Sequence, residues 1–282
     1  MKVLVTGGVG FVGTNLIKRL LKDGHEVVSL DNYSTGKKEN EQDGCLYYDY
    51  DLSYNYVRDD GDRYDVIFHM AALARIQPSL KDPYKTIFNN FTSTLNILDY
   101  ARENGIRFVY AGSSSFHHGL YGSPYAWSKF SGEDLCKLYS NVYDIDTAIC
   151  RFYNVYGPHQ IEEGTYATVI GIFEKQYREG QPLTIVGDGE QRRDFTHIDD
   201  IVDGLIRCSE QPFRAEIFEL GSGKNYSINE VANMFGGDYS KKYLDKRLGE
   251  YDVTLADYSE AKDILDWKPT KDLSDYINFI NA

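Results

Sequence analysis

The sequence predicts an α/β fold, a doubly wound parallel sheet with helices on both faces, joined to a smaller α/β region at the carboxyl end. Two observations carry this expectation. Short apolar runs rich in β-branched residues alternate with longer segments of helical periodicity through the first half of the chain. A glycine-rich turn separates the first such run from the first helix. Strands that alternate with helices pair in parallel, and such sheets bind ligands at the carboxyl ends of their strands. Motifs that directly follow strands therefore come first.

The expected strands are 2–6, 26–30, 64–69, 106–111 and 146–152, and the expected helices 11–23, 83–104 and 124–143. The opening stretch Lys2-Val3-Leu4-Val5-Thr6 is too short for a signal-peptide core and runs into glycines, so it reads as a core strand. The run Tyr64-Asp65-Val66-Ile67-Phe68-His69 reads as another. Beyond Gly157-Pro158 the rhythm changes to a helix over 165–180, an irregular Gly/Asp-rich stretch over 187–194, and mixed short elements. The expected division is 1–156, rejoined by about 194–212, as the first unit, and 157–193 with 213–282 as the second. There are no repeats, low-complexity tracts or Pro/Ser-rich linkers, so the two units are expected to share one interface.

Composition bounds the function. The 282 residues are 42% hydrophobic and 26% charged, within the range of ordinary globular chains. With 30 basic and 43 acidic residues the net charge is −13, which repels phosphate backbones and anionic lipid. Neither nucleic acid nor a membrane surface is an expected partner, and any small anion must be held by a few local cations. No apolar run approaches the roughly 20 residues that span a bilayer. Cys45, Cys136, Cys150 and Cys208 form no C-x-x-C pair and no metal-ligand spacing. They are expected to be reduced, in a cytoplasmic protein without a metal.

After the first strand comes Gly7-Gly8-Val9-Gly10-Phe11-Val12-Gly13, which fits both G-x-x-G-x-x-G and G-x-G-x-x-G. Such glycines allow a tight turn and bring the backbone against a pyrophosphate, whose charge meets the free N–H groups and positive dipole end of the next helix. Asp31 stands 18 residues beyond Gly13, at the end of the second strand, where a carboxylate accepts from a ribose 2′-hydroxyl. A 2′-phosphate would be repelled there. NAD is therefore expected rather than NADP, with Lys37 and Lys38 as the opposing charges.

The serine run Ser113-Ser114-Ser115 follows the strand ending at 111, and Tyr125-Ala126-Trp127-Ser128-Lys129 opens the next helix. The i, i+4 spacing puts a phenol and an ammonium on one face. A free phenol titrates near pH 10, so a base near neutrality needs a drop of about three units, or about 4 kcal/mol. A cation about 5.5 Å away supplies about 3 kcal/mol at an effective dielectric near 20. Lys129 together with a positive nicotinamide ring would suffice.

Taken together these motifs resemble the extended short-chain dehydrogenase/reductase family, and within it the NAD-dependent nucleotide-sugar epimerases and dehydratases. The resemblance runs nearly the whole length. It rests on Thr6 to Gly13, Asp31-Asn32, His69-Met70-Ala71-Ala72, Asn90, the serine run, Tyr125 to Lys129, Arg151 to Pro158, Arg192-Arg193-Asp194-Phe195 and Arg247-Leu248-Gly249-Glu250.

The resemblance implies a Rossmann-type fold and a set of roles. Tyr125 becomes the acid/base at a sugar hydroxyl, and Lys129 lowers its pKa while holding the nicotinamide ribose. A family serine or threonine lies five residues before a glycine and orients the same hydroxyl; counting back from Gly119 selects Ser114, with Ser115 beside it toward substrate. The loop departs from the family pattern, with Phe116-His117-His118 before the glycine and Tyr125 only eleven positions after Ser114. Cofactor contacts are implied at Gly7, Gly10, Phe11, Val12, Gly13, Asp31, Asn32, Ala71, Ala72 and Asn90. The adenine contact falls on Asp51-Leu52, with Asp49-Tyr50 competing. Asn154, Arg193 and Arg247 are implied at the substrate diphosphate, Glu250 near the nucleotide ribose, and Thr254 at the sugar, where a small side chain leaves room for an N-acetyl group. Arg75 is a possible third cation. His69 reads as strand-end packing, and His117 and His118 as loop residues.

The implied reaction is C4 epimerisation of a nucleotide-diphosphate hexose through a 4-keto sugar, on UDP-glucose, UDP-galactose or N-acetyl forms. Dehydratase relatives carry an Asp-Glu pair after the threonine; counted from Ser114, this chain has Ser115-Phe116 there. A 4,6-dehydratase or decarboxylase is the alternative within the family, and a non-catalytic NAD-binding regulator the alternative outside it. A homodimer through helices 83–104 and 124–143 is the expected assembly.

Overall fold

The computed structural model describes residues 1–57, 61, 63–249 and 251–281. The chain runs through β1 (Lys2–Thr6), α1 (Phe11–Lys22), β2 (Glu26–Asp31), β3 (Cys45–Asp49), β4 (Val66–His69), α2 (Ile76–Lys81), α3 (Pro83–Asn104), β5 (Arg107–Ser113), α4 (Pro124–Tyr143) and β6 (Thr147–Phe152). It continues through β7 (Val155–Tyr156), α5 (Val169–Arg178), β8 (Leu183–Val186), β9 (Arg192–Asp194), β10 (Thr196–His197), α6 (Ile198–Ser209) and β11 (Arg214–Leu220). The last elements are β12 (Asn225–Ser227), α7 (Ile228–Met234), β13 (Lys241–Leu244), α8 (Ser259–Leu265) and α9 (Leu273–Asn281).

Seven strands form one parallel sheet in the order β11-β6-β5-β4-β1-β2-β3. The order reverses between β1 and β4, and this is where such a sheet opens a crevice. Thr6 lies opposite both Leu30 and His69, so β1, β2 and β4 end at about the same level. Both faces are covered. Val3, Val5, Val66 and Phe68 pack with Leu16, Ile17, Ile201 and Leu205 on the side of α1 and α6. Their neighbours Leu4, Ile67, Phe108 and Tyr110 pack with Ile97, Leu98 and Cys136 on the side of α3 and α4. Alternate residues of a strand point to opposite faces, which is why these strands read as unbroken apolar runs.

Helices α3 and α4 keep their expected bounds because both are punctuated. Asp82 accepts from the Lys85 N–H ahead of Pro83, and Ser123 accepts from the Ala126 N–H ahead of Pro124. Gly105, with φ of 63°, ends α3. Strand β3 was not expected, since it lies at the sheet edge with several of its residues exposed and carries little periodicity. Within the expected helix 165–180, helix begins only at Val169, capped by Thr168. Within the stretch over 187–194, β9 forms by pairing with β12.

A third core of Tyr156, Phe173, Leu183, Ile185, Phe195, Val231 and Phe235 holds the smaller region. The expected boundary at 213 does not match the sheet. Strand β11 pairs with β6 at the sheet edge, and Ala261, Leu265 and Trp267 join the core beside α6. The reason is burial: Phe218 and Leu220 can reach a full apolar face only by completing the sheet. Among the described residues no helix is long and apolar enough to cross a membrane.

Candidate active site

A cavity of about 890 Å³ opens at the carboxyl ends of β1, β2, β4, β5 and β6 and is closed by residues of 161–172, 184–195 and 247–254. Its two ends differ in construction.

At one end lie Gly7, Gly10, Phe11, Val12 and Gly13. Gly7 has a φ of 72°, and a Cβ there would sit 2.8 Å from the Ala71 backbone. A Cβ on Gly13 would overlap the Gly7 carbonyl oxygen. Helix α1 starts at Phe11 after Gly10, which offers no side-chain cap, so its positive end faces the cavity. Asp31 clamps the turn, its carboxylate accepting from the Val9 and Tyr33 N–H groups at 3.0 and 2.8 Å. Burial raises its pKa, and these two donors oppose the rise.

Beyond it, Asn32 donates to Asp51 at 3.0 Å, and Asp51 also accepts from the Ser53 hydroxyl and N–H. Burial alone would raise the Asp51 pKa, but the bonds from Ser53 and Asn32 hold it below the ordinary value. Asp51 and Leu52 line the cavity together with Tyr50, whereas Asp49 is exposed and does not. Ala71 and Ala72 line the opposite wall. The expected contact Asn90 does not line the cavity. Its amide is spent on the Leu73 N–H and carbonyl and on the Ser128 hydroxyl, at 2.7, 3.2 and 3.0 Å, which ties the loop after β4 to α3 and α4. His69 is buried between the Thr6 and Thr94 hydroxyls, and burial lowers its pKa to about 3, so it stays neutral. This end fits a dinucleotide: bare backbone beside an uncapped helix start for a pyrophosphate, and a carboxylate for a ribose.

In the middle of the cavity, Tyr125 stands one residue after Pro124 in the first turn of α4, positioned by the Ser123 cap. Its hydroxyl lies 3.4 Å from Ser113 Oγ. Counting back from Gly119 gave Ser114; the structure gives this contact to Ser113, because β5 extends to 113 and the loop behind it is short. Ser115 donates to the same Ser113 oxygen at 2.9 Å, and Ser113, Ser114 and Ser115 all line the cavity. Burial raises the Tyr125 pKa, against the Ser113 hydrogen bond and the positive charge of Arg75. Lys129 departs from expectation. It is buried below the cavity wall, with Nζ 4.3 Å from the Tyr110 ring centre, and burial lowers its pKa to about 8 although the Glu133 carboxylate favours its charge.

The other end is built from side chains. Asn154 lines the cavity with φ of 22° and donates to the Asp194 carbonyl at 2.8 Å and to Thr254 Oγ1 at 3.2 Å. Thr254 Oγ1 also accepts from the Asp194 N–H at 3.0 Å. Asp194, which the sequence reading gave no role, is the hub. Its buried carboxylate accepts from the Ser222 N–H and hydroxyl and from the Gly223 and Ala256 N–H groups, and this fixes the strand that carries Arg193. Arg193 and Arg247 both line this end. The segment bearing Arg247 is held to α2 by the bond from Gln77 to the Leu248 carbonyl at 2.7 Å. Glu250 and the side chain of His118 lie outside the described residues. His117 does not line the cavity; it pairs with Glu219, while Arg151 stacks 3.5 Å from the Phe116 ring centre and pairs with Glu133. These contacts anchor the short loop from behind.

Residues 3–221 match the family model described as the NAD dependent epimerase/dehydratase family. The chain is 33% identical to a UDP-glucuronate 4-epimerase of Thermodesulfobacterium geofontis, over 94% of this chain and 90% of that one. It is 32% identical to a UDP-glucose 4-epimerase of Mycolicibacterium smegmatis, over 98% and 96%. Among solved structures, UDP-glucose 4-epimerase of Thermotoga maritima superposes with a TM-score of 0.93 at 27% identity, over 100% of this chain and 97% of that one. With the glycine turn, the Tyr125–Ser113 pair and the facing arginines in one cavity, the chain belongs to the NAD dependent epimerase/dehydratase family.

Proposed function

We propose that this protein is a 4-epimerase of a nucleotide-diphosphate hexose. The observation that carries the reading is the distribution of acids. Among the described residues lining the cavity, the carboxylates are Asp31 and Asp51, both at the cofactor end. The two residues after Ser113 are Ser114 and Ser115, so the shift of the serine by one position still leaves no acid pair beside Tyr125. Removing water across C5 and C6 needs an acid or base in reach of those carbons, whereas epimerisation at C4, with the hydride passing to and from bound NAD, needs only the phenol as acid/base.

NAD, when bound at the glycine end, supplies reversible hydride storage for C4. Gly7, Gly10 and Gly13 would hold its pyrophosphate, Asp31 its adenosine ribose, and Asp51 with Leu52 its adenine. The chain's own part is proton transfer and positioning. Tyr125 takes the 4-hydroxyl proton, with Ser113 orienting that hydroxyl, and returns a proton after the 4-keto sugar has turned over. Arg193, Arg247 and Asn154 hold the diphosphate during the turn, since guanidinium forks suit phosphate oxygens. Small Thr254 leaves space for N-acetyl forms beside glucose and galactose. The reading includes a homodimer through α3 and α4, where Leu138 and Val142 of α4 are exposed.

Proton NMR of the purified protein with a panel of nucleotide sugars, with and without added NAD, tests the reading. A 4-epimer should accumulate to a fixed ratio. A 4-keto-6-deoxy product, a pentose product or no product from any of them would reject it.

A further inference from the structure

Among the described residues three arginines line the cavity, Arg75, Arg193 and Arg247, and the proposed function gives a ligand to two of them. The positive end of α1 would hold the cofactor pyrophosphate and Arg193 with Arg247 the substrate diphosphate, which leaves Arg75, just before α2. Arg75 lines the cavity, and its Nε donates to the Tyr166 carbonyl at 3.1 Å. Among the described residues no carboxylate forms an ion pair with it. Burial pushes its pKa down, and its charge reaches the Tyr125 phenol. A half-buried guanidinium without a counter-ion is unfavourable, and a bound anion would relieve that cost. With Nε committed to Tyr166, the two terminal nitrogens are left for that anion.

Tyr125 marks C4 of the bound hexose. The ring neighbours of C4 are C3 and C5, while the diphosphate hangs from C1 across the ring. The anion that a nucleotide-linked hexose can place next to C4 is the carboxylate on C5 of a uronic acid. We infer that Arg75 is the specificity-determining residue of the cavity, and that it receives the C5 carboxylate of a nucleotide-linked hexuronate. This inference rests on the reading of the cavity as a nucleotide-hexose site. It separates acidic from neutral sugars, which the similarities to both a glucuronate and a glucose epimerase do not.

The test is calorimetric titration of the NAD-loaded protein with UDP-glucuronate and UDP-glucose at neutral pH. The two ligands differ only at C6, so base, diphosphate and ring cancel in the ratio of their affinities. A charge-assisted pair should make the uronate bind about 10- to 100-fold tighter. Arg75→Met should bring the ratio to within about 3-fold, and Arg75→Lys, which keeps the charge and loses the fork, to an intermediate value. Should Arg75→Met fail to fold, Arg75→Lys carries the test alone. A ratio near one in the unsubstituted protein, a ratio that survives substitution, equal weakening of both ligands, or no uronate binding overturns the inference. Turnover is read separately: a uronate preference that depends on Arg75 without formation of a 4-epimer would sink the epimerase reading and leave Arg75 in place.

Discussion

The glycine end of the cavity is made of backbone, and the sugar end is made of side chains. At the first, the ends of β1, β2 and β4 lie level, and Gly7 and Gly13 leave no room for a Cβ. At the second, Ser113, Tyr125, Asn154, Arg193 and Arg247 come from five separate segments and are held by bonds such as Asp194 to Ser222 and Gln77 to Leu248. A backbone cradle tolerates almost no substitution, because its geometry is the contact. A side-chain cradle can be retuned one residue at a time, which is how one fold can accept different sugars.

The comparison breaks most visibly at the side-chain residue nearest the middle of the cavity. Tyr125→Phe should lower kcat by about 10³-fold or more if the proposed general base is lost, while costing less than about 1 kcal/mol of stability because one long hydrogen bond disappears. Steady-state kinetics and thermal melts check both halves. Gly13→Ala probes the backbone end. The Cβ overlap with the Gly7 carbonyl should destabilise the protein by about 2 kcal/mol or more and weaken NAD at least about 10-fold. Direct NAD titration should show this loss with no change in the diphosphate contacts.

Arg247→Met probes the other end. Losing one charge-assisted pair of about 1.5–3 kcal/mol should raise the KM for the nucleotide sugar about 10- to 100-fold, with NAD affinity unchanged. If NAD binding falls as well, the two ends are not independent. The smallest effect separates neighbouring serines. Ser113 holds the Tyr125 pKa down, so Ser113→Ala should raise it. The proposed base works deprotonated, so the acidic limb of kcat/KM should move to higher pH, with a loss of about 10-fold at neutrality. Ser114→Ala should leave that limb in place.

The same contrast explains what could be seen in the sequence. The glycine turn, Asp31 and the bounds of α3 and α4 were legible because glycine, proline and capping residues are demanded by local geometry, as at Asp82-Pro83, Ser123-Pro124 and Gly105. Strand β3 was not, since an exposed edge strand has no apolar periodicity, and β11 was hidden by following the change of rhythm at 157. Counting selected Ser114, whereas the serine in contact with Tyr125 is Ser113, because three serines in a row offer the same hydroxyl and only the end of β5 decides between them. Spacing put Tyr125 and Lys129 on one helix face, but only the fold shows Lys129 against the Tyr110 ring and Arg75 in the cavity lining. Asn90 was found as a motif residue, yet its contacts are to Leu73 and Ser128 rather than to the cavity.

The most direct test follows both protons of the sugar in heavy water. Incubation of the NAD-loaded protein with UDP-glucuronate and UDP-glucose in D₂O, read by proton NMR, should give a 4-epimer whose C4 and C5 positions keep their original hydrogens. Hydride would then have left and returned within one site while Tyr125 handled only the hydroxyl proton. Deuterium at C5, or release of water or carbon dioxide from the sugar, would contradict it.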